Sequence, residues 1–181
     1  MIQYPGFFFC SPPRTGSAWF RSFCAKVGLG EQGAAKVHIP PPADWSDYSV
    51  SIVRHPLDWL ASYYSVIRGG VIGVPEVDQF SEPARNTSDV AAFIWYVADR
   101  MPGAVGRMFD AYQTSSVIRL EDFPWAPVEL LQAVGVSVTS LRTHSSLPPM
   151  NMRIGTRRRV PGKTQARLRD AESEFLLRYG Y

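Results

Sequence analysis

The stretch Phe7-Phe8-Phe9-Cys10-Ser11-Pro12-Pro13-Arg14-Thr15-Gly16-Ser17-Ala18-Trp19-Phe20 decides how this chain is read. Phe7 to Cys10 is a short apolar run of the kind that forms a buried strand. Ser11 to Ser17 holds two prolines, a glycine and three hydroxyl residues, the composition of a turn. Trp19, Phe20, Phe23, Cys24 and Val27 then recur at helical spacing, and Gly28 can end that helix. Strand, loop, helix is the unit that opens most nucleotide-binding α/β folds.

Outward from this unit, strands and helices alternate. Val37-His38-Ile39 reads as a short strand stopped by Pro40-Pro41-Pro42, and Tyr48 to Val53 as a longer one. Pro56 can open a helix with Leu57, Leu60, Ala61 and Tyr64 on one face, closed by Gly69-Gly70. Gly69 to Asn86 lacks a clear period and reads as a loop, a place where lids and binding elements occur. Ser88 is expected to cap a helix striped by Val90, Phe93, Ile94, Val97 and Met101. A further helix is expected around Val105 to Tyr112, a strand at Ser116 to Leu120 and a helix over Pro127 to Val134. Leu147 to Lys163 reads as irregular, and Ala166 to Tyr179 as a closing helix. The expected architecture is three-layer α/β/α, with a mostly parallel central sheet of four or five strands.

The chain has 181 residues, which fits a single domain over 1–181. Its hydrophobic share is 45% and its charged share 19%, ordinary for a folded protein. No run of about 20 apolar residues is present, so no membrane span is expected. Met1 to Pro5 supplies no basic stretch ahead of the short Phe7–Cys10 run, so no secretory leader is expected. Cys10 and Cys24 are too few for a disulfide framework and lack zinc-site spacing, so the expected setting is reducing and cytoplasmic. The net charge is +3, and Lys26, Lys36 and Lys163 are the only lysines against sixteen arginines. Arginine suits planar recognition of phosphate-like anions.

Four constellations carry chemistry. Pro13-Arg14-Thr15-Gly16-Ser17-Ala18-Trp19 can cradle an anion with backbone N–H groups, the Arg14 charge and two hydroxyls. An ordinary turn with an N-cap fits the same residues. Arg54 ends a buried strand at the edge where α/β sheets bind ligands, and Ser62 lies two turns along the next helix. A salt-bridged Arg and a solvated Ser are the alternative. Alternation along a strand would put Lys36 and His38 on one face, where they could stabilise charge and move a proton. A structural histidine is the alternative. Arg157-Arg158-Arg159-Val160-Pro161-Gly162 makes an anion site, a nucleic-acid patch or a solvated basic turn.

Taken in order, these segments resemble the PAPS-dependent sulfotransferase family. Residues 13–19 resemble its 5′-phosphosulfate loop, P-[KR]-[ST]-G-[ST]-[ST]-W. Arg54 to Ser62 is similar to its 3′-phosphate motif, R-x-P-x-x-x-x-x-S. Lys36-Val37-His38-Ile39-Pro40 is similar to the K-T-H-L-P segment that carries the catalytic base in cytosolic members. Leu120-Glu121-Asp122 resembles Y-E-D, and Arg157, Arg158 and Gly162 resemble R-K-G-x-x-G. The resemblance spans about residues 7 to 180. Ala18, Leu120, Arg159 and Lys163-Thr164 depart from it, and the chain is about a third shorter than typical cytosolic members.

The resemblance implies a P-loop-NTPase-like fold, PAPS as sulfuryl donor with 3′-phosphoadenosine 5′-phosphate as product, and a small-molecule acceptor with a hydroxyl or amine. It implies Arg14, Lys36 and His38 as catalytic residues, with His38 as general base and Glu31 or Asp44 in reserve. It implies cofactor contacts from Arg14, Thr15, Gly16, Ser17, Ala18, Trp19 (stacked on adenine or packed in the core), Arg54, Ser62, Arg157, Arg158 and Gly162. No metal, nucleic-acid partner or membrane is expected. A nucleotide kinase would need a Walker A lysine at the right spacing, which the loop lacks. A non-catalytic nucleotide-binding module of the same fold, favoured by Ala18 and the short chain, stays open.

Overall fold

A computed structural model describes residues 1–32, 36–70, 78–137 and 160–181. The chain is α/β, with one four-stranded sheet and, among the described residues, eight α-helices. It divides into two compact units, Met1–Val53 with Ala111–Met152, and Arg54–Asp110 with Arg153–Tyr181. No helix among the described residues is long and apolar enough to cross a membrane.

The first unit contains the sheet, in the order β1 (Ile2–Tyr4), β2 (Phe7–Phe9), β3 (Ser49–Val53), β4 (Ser116–Arg119). β1 and β2 form an antiparallel hairpin in which Tyr4 pairs with Phe7 across Pro5-Gly6. Gly6 sits at φ 87°, a conformation its missing Cβ permits at a two-residue turn. The β2–β3 and β3–β4 pairings are parallel, as expected of a mostly parallel sheet. β3 is buried at every position. Its two serines survive burial because each is hydrogen-bonded: Ser51 accepts from the Thr114 hydroxyl at 3.0 Å, and Ser49 accepts from the Ser115 N–H at 3.3 Å.

Helix α1 (Ser17–Lys26) buries Trp19, Phe20, Phe23 and Cys24, the stripe its spacing predicts. Phe20 packs on Phe9 with ring centroids 4.5 Å apart. A 3₁₀ turn at Leu120–Asp122 leads from β4 toward α6 (Trp125–Ala133). Cys10 and Cys24 are buried free thiols, and burial pushes the Cys10 thiol to about 11 and the Cys24 thiol to about 12.

The expected strand at Val37-His38-Ile39 is absent; those residues form turns. The Val37 carbonyl accepts from the Ser11 N–H at 3.0 Å, but the His38 ring folds back toward Ser11 and Ile39 is exposed. Pro40 to Pro42 supply no N–H to extend a ladder.

The second unit contains α2 (Pro56–Arg68), α3 (Asp78–Asn86), α4 (Val90–Arg100), α5 (Ala104–Asp110), α7 (Gly162–Ala171) and α8 (Ser173–Tyr179). Helix α3 replaces the second half of the loop expected at Gly69 to Asn86. Pro83 and polar residues mask its period, while Phe80 and Ala84, one turn apart, are fully buried. Trp59 stacks on Tyr63 at 5.0 Å and meets Phe80 edge-on at 5.2 Å. Asp89, rather than Ser88, caps α4 by accepting from Ala92 N at 2.8 Å. The expected single closing helix is two, broken at Glu172. That side chain turns inward and accepts from the N–H groups of Val105 (3.1 Å) and Gly106 (2.8 Å) at the start of α5.

Glu172 is 2% exposed, and burial raises its pKa above the ordinary 4.5. The folded chain therefore holds this proton more tightly than the unfolded chain. Its contribution to stability falls as pH rises from 4.5 through the raised value. Glu172→Ala leaves two buried N–H groups without an acceptor and should lower stability by about 1–3 kcal/mol. Glu172→Gln keeps an acceptor oxygen and should remove the pH slope. Thermal melts of the three proteins between about pH 4 and 7 check both effects.

Candidate functional site

The loop from β2 to α1 is built around its own polar atoms. Ser11 and Thr15 are both fully buried, and their hydroxyls are hydrogen-bonded to each other. The Thr15 hydroxyl donates to the Pro12 carbonyl at 2.7 Å, which leaves the Ser11 hydroxyl, 3.2 Å from the same oxygen, to donate to Thr15 Oγ1. Thr15, expected to present a donor to a phosphate, spends its proton inside the loop instead. What the loop presents is Arg14, half-buried, together with Ser17 and Ala18, which open α1. Helix geometry leaves the Ser17 and Ala18 N–H groups without an intrahelical acceptor, and no side chain caps that end.

Two backbone conformations fix the loop. Gly16, the N-cap of α1, lies at φ 89°, and a Cβ there would come within 2.5 Å of Leu120 Cδ1. Arg14 lies at φ 69°, the only non-glycine with positive φ among the described residues. A left-handed non-glycine residue costs about 1–3 kcal/mol and persists where surrounding contacts over-determine it.

His38 is tied directly to this loop. Its Nδ1 lies 2.8 Å from the Ser11 carbonyl oxygen. A carbonyl only accepts, so Nδ1 carries the proton and Nε2 keeps its lone pair. Burial lowers the His38 pKa below the ordinary 6.5; the Ser11 carbonyl opposes this, while the Arg21 and Met1 cations reinforce it. His38 is therefore neutral near pH 7, the state a general base needs. The Tyr112 hydroxyl donates to the His38 carbonyl at 2.9 Å. Sequence reasoning missed Ser11 and Tyr112; the pair Tyr112–His38 is 74 residues apart, beyond any local signal.

Lys36 is exposed, and without a strand no alternation sets its side chain beside His38. Trp19 is 2% exposed, stacked on Phe23 at 5.0 Å and packed on Phe123 at 4.8 Å. Of the two roles expected for this ring, stacking on adenine or packing in the core, the structure shows the second. Glu31 is bound by Arg21 at 2.7 Å and by the Tyr4 hydroxyl at 3.3 Å. The Arg21 pair holds its carboxyl below the usual range, which weakens it as a base. Asp44 is exposed.

The remaining expected residues belong to the second unit. Arg54 and Ser62 are half-buried, Ser62 on α2. His55 caps α2, its Nδ1 accepting from Leu57 N at 3.2 Å. Gly162 is the first residue of α7, whose N-cap, Pro161, offers no side-chain bond. Arg157 and Arg158 lie outside the described residues. A cavity of about 260 Å³ in this unit is lined by Arg107, Asp110, Glu172 and Arg178 among others, none of them an expected site residue. Comparison with protein-family models, curated proteins and solved structures finds no match to this chain.

Gly16→Ala combines a strained φ with a clash against Leu120. It should lower stability by about 1–3 kcal/mol. Leu120→Ala in the same chain removes the clash but not the φ strain, so denaturant titration should show the double variant losing less than the sum of the singles.

Proposed function

We propose that this chain is a sulfotransferase that moves a sulfuryl group from PAPS to a hydroxyl or amine of a small-molecule acceptor. The observation that carries the proposal is Arg14, held at φ 69° in the turn that opens α1. Backbone strain of this kind collects at ligand-binding turns. A three-layer, P-loop-like form of the α/β fold suits the same reading. β2 and β3 are parallel neighbours, so their C-terminal ends share one sheet edge. The loop follows β2, and Arg54 is the next residue after β3. Open α/β sheets bind ligands outside such strand ends.

The donor set of each unit suits one anionic group. In the first unit it comprises Arg14, Lys36 and the N–H groups of Ser17 and Ala18. In the second it comprises Arg54, Ser62 and the N-terminus of α7 at Gly162, with Arg157 and Arg158 beside it in sequence. When bound, PAPS supplies an activated sulfuryl group whose bond to the 5′-phosphate oxygen breaks as the acceptor atom bonds sulfur, leaving 3′-phosphoadenosine 5′-phosphate. Arg14 and the loop N–H groups stabilise the charge that grows on the 5′-phosphate. Lys36 offsets charge on the sulfuryl oxygens. His38 takes the acceptor proton on Nε2, a role worth about 10²–10⁴ in rate. Arg54, Ser62, Arg157, Arg158 and Gly162 hold the 3′-phosphate.

Calorimetric titration with 3′,5′-ADP, ADP and ATP–Mg²⁺ tests the reading. Selective binding of 3′,5′-ADP is expected. Preference for ATP–Mg²⁺, or no binding by any of the three, overturns it. Arg54→Ala should weaken 3′,5′-ADP by roughly 10- to 100-fold and leave ADP unchanged. Arg14→Gly should weaken both nucleotides, since it removes the charge while glycine meets the same left-handed backbone demand. His38→Ala should leave nucleotide affinity intact.

A further inference from the structure

We propose that Tyr112 is a positioning residue for His38, and that with the Ser11 peptide it holds the imidazole with its proton on Nδ1 and its lone pair on Nε2. The inference rests on His38 as the base of the sulfuryl transfer proposed above. The turn that carries His38 belongs to no strand, so its peptide groups are fixed one by one. The Met1 nitrogen donates to the Lys36 carbonyl at 2.9 Å, the Ser11 N–H to the Val37 carbonyl at 3.0 Å, and the Tyr112 hydroxyl to the His38 carbonyl at 2.9 Å. Tyr112 is only 8% exposed, so water competes little for that last bond. It comes from the segment between α5 and β4 and fixes the peptide that carries the imidazole.

The ring geometry follows from that anchor. His38 Nδ1 reaches the Ser11 carbonyl only while the His38 backbone holds its orientation. The neutral ring of a solvent-exposed histidine side chain favours its proton on Nε2, which would present a donor where the acceptor's proton must be received. Tyr112 therefore acts on chemistry through the tautomer of a ring whose backbone carbonyl its hydroxyl holds. The charged groups acting on His38 are Arg21 and the Met1 amine, both cations, which favour a neutral ring and do not choose between its tautomers. His55 provides an internal reference. Its Nδ1 accepts from Leu57 N at 3.2 Å, so its proton lies on Nε2, the opposite arrangement.

Two-bond ¹H–¹⁵N correlation spectra of the full ¹⁵N-labelled chain read both rings directly, with His38→Gln and His55→Gln assigning them. In the wild type, at a pH where His38 is neutral, its Nδ1 should be pyrrole-type and its Nε2 pyridine-type, with His55 reversed. Tyr112→Phe should shift His38 toward the Nε2-protonated form and leave His55 unchanged. A purely structural loss would not move one tautomer selectively. An Nε2-protonated His38 in the wild type overturns the proposal with no variant needed. So does an unchanged His38 tautomer in folded Tyr112→Phe. Titrating the same samples with 3′,5′-ADP separates the two readings. A chain that binds no 3′,5′-ADP yet changes its His38 tautomer on Tyr112→Phe loses the sulfotransferase function and keeps the positioning role.

Discussion

The Ser11 peptide is the joint on which the first unit's candidate site depends. Its N–H donates to Val37 and its carbonyl accepts from His38, while its hydroxyl bonds Thr15. One residue thus ends β2, shapes the turn into α1 and fixes a histidine 27 positions away. Because Ser11 is fully buried, losing any of these bonds would strand a desolvated polar group. The loop and the His38 turn are therefore one hydrogen-bonded body, and a distortion of one is felt in the other.

Arg14 shows the cost of that arrangement. Folded domains are stable by only about 5–15 kcal/mol, and a left-handed arginine consumes about 1–3 of it. Glycine would meet the same backbone demand with no strain, as it does at Gly16 two residues later. What arginine adds is a charge at the N-terminal end of α1, where the helix dipole already favours an anion. Ser17 and Ala18 leave that end uncapped, so the donors there stay directed outward from the helix. Thr15 does not compete for this role, since its hydroxyl is consumed in closing the loop.

The sequence was legible where one local signal was strong. Phe7 to Phe9, the α1 stripe, β3 and the proline-started α2 appear where periodicity and turn residues place them. Helix α3 was not legible, because Pro83 and its polar neighbours hide a seat made by Phe80 and Ala84. β1 had a usable signal, Ile2 and Tyr4 alternating ahead of Pro5-Gly6, but only three residues carry it. The break at Glu172 was hidden because an inward carboxylate looks like any helical glutamate until its partners, Val105 and Gly106, are known. At the candidate site the residue types were legible and their duties were not. Thr15 and Trp19 face inward, while Ser11 and Tyr112 acquire roles only through long-range hydrogen bonds.

These duties also bear on which group can serve as base. A carboxylate is a strong base only if its environment raises its pKa, and Glu31 sits in the opposite environment, paired with Arg21 at 2.7 Å. His38 reaches the neutral state by burial and by the nearby Arg21 and Met1 cations. Arg21 thus weakens one candidate and keeps the other uncharged. Depressing the imidazole pKa also lowers its affinity for the proton that the proposed transfer would deliver to it, so burial alone would make His38 available but feeble. The Ser11 carbonyl counters this, since a hydrogen bond from Nδ1 grows stronger as positive charge builds on the ring. In the proposed transfer such a base would be neutral before the reaction and supported during it, and that support would exist only while the imidazole proton points at Ser11.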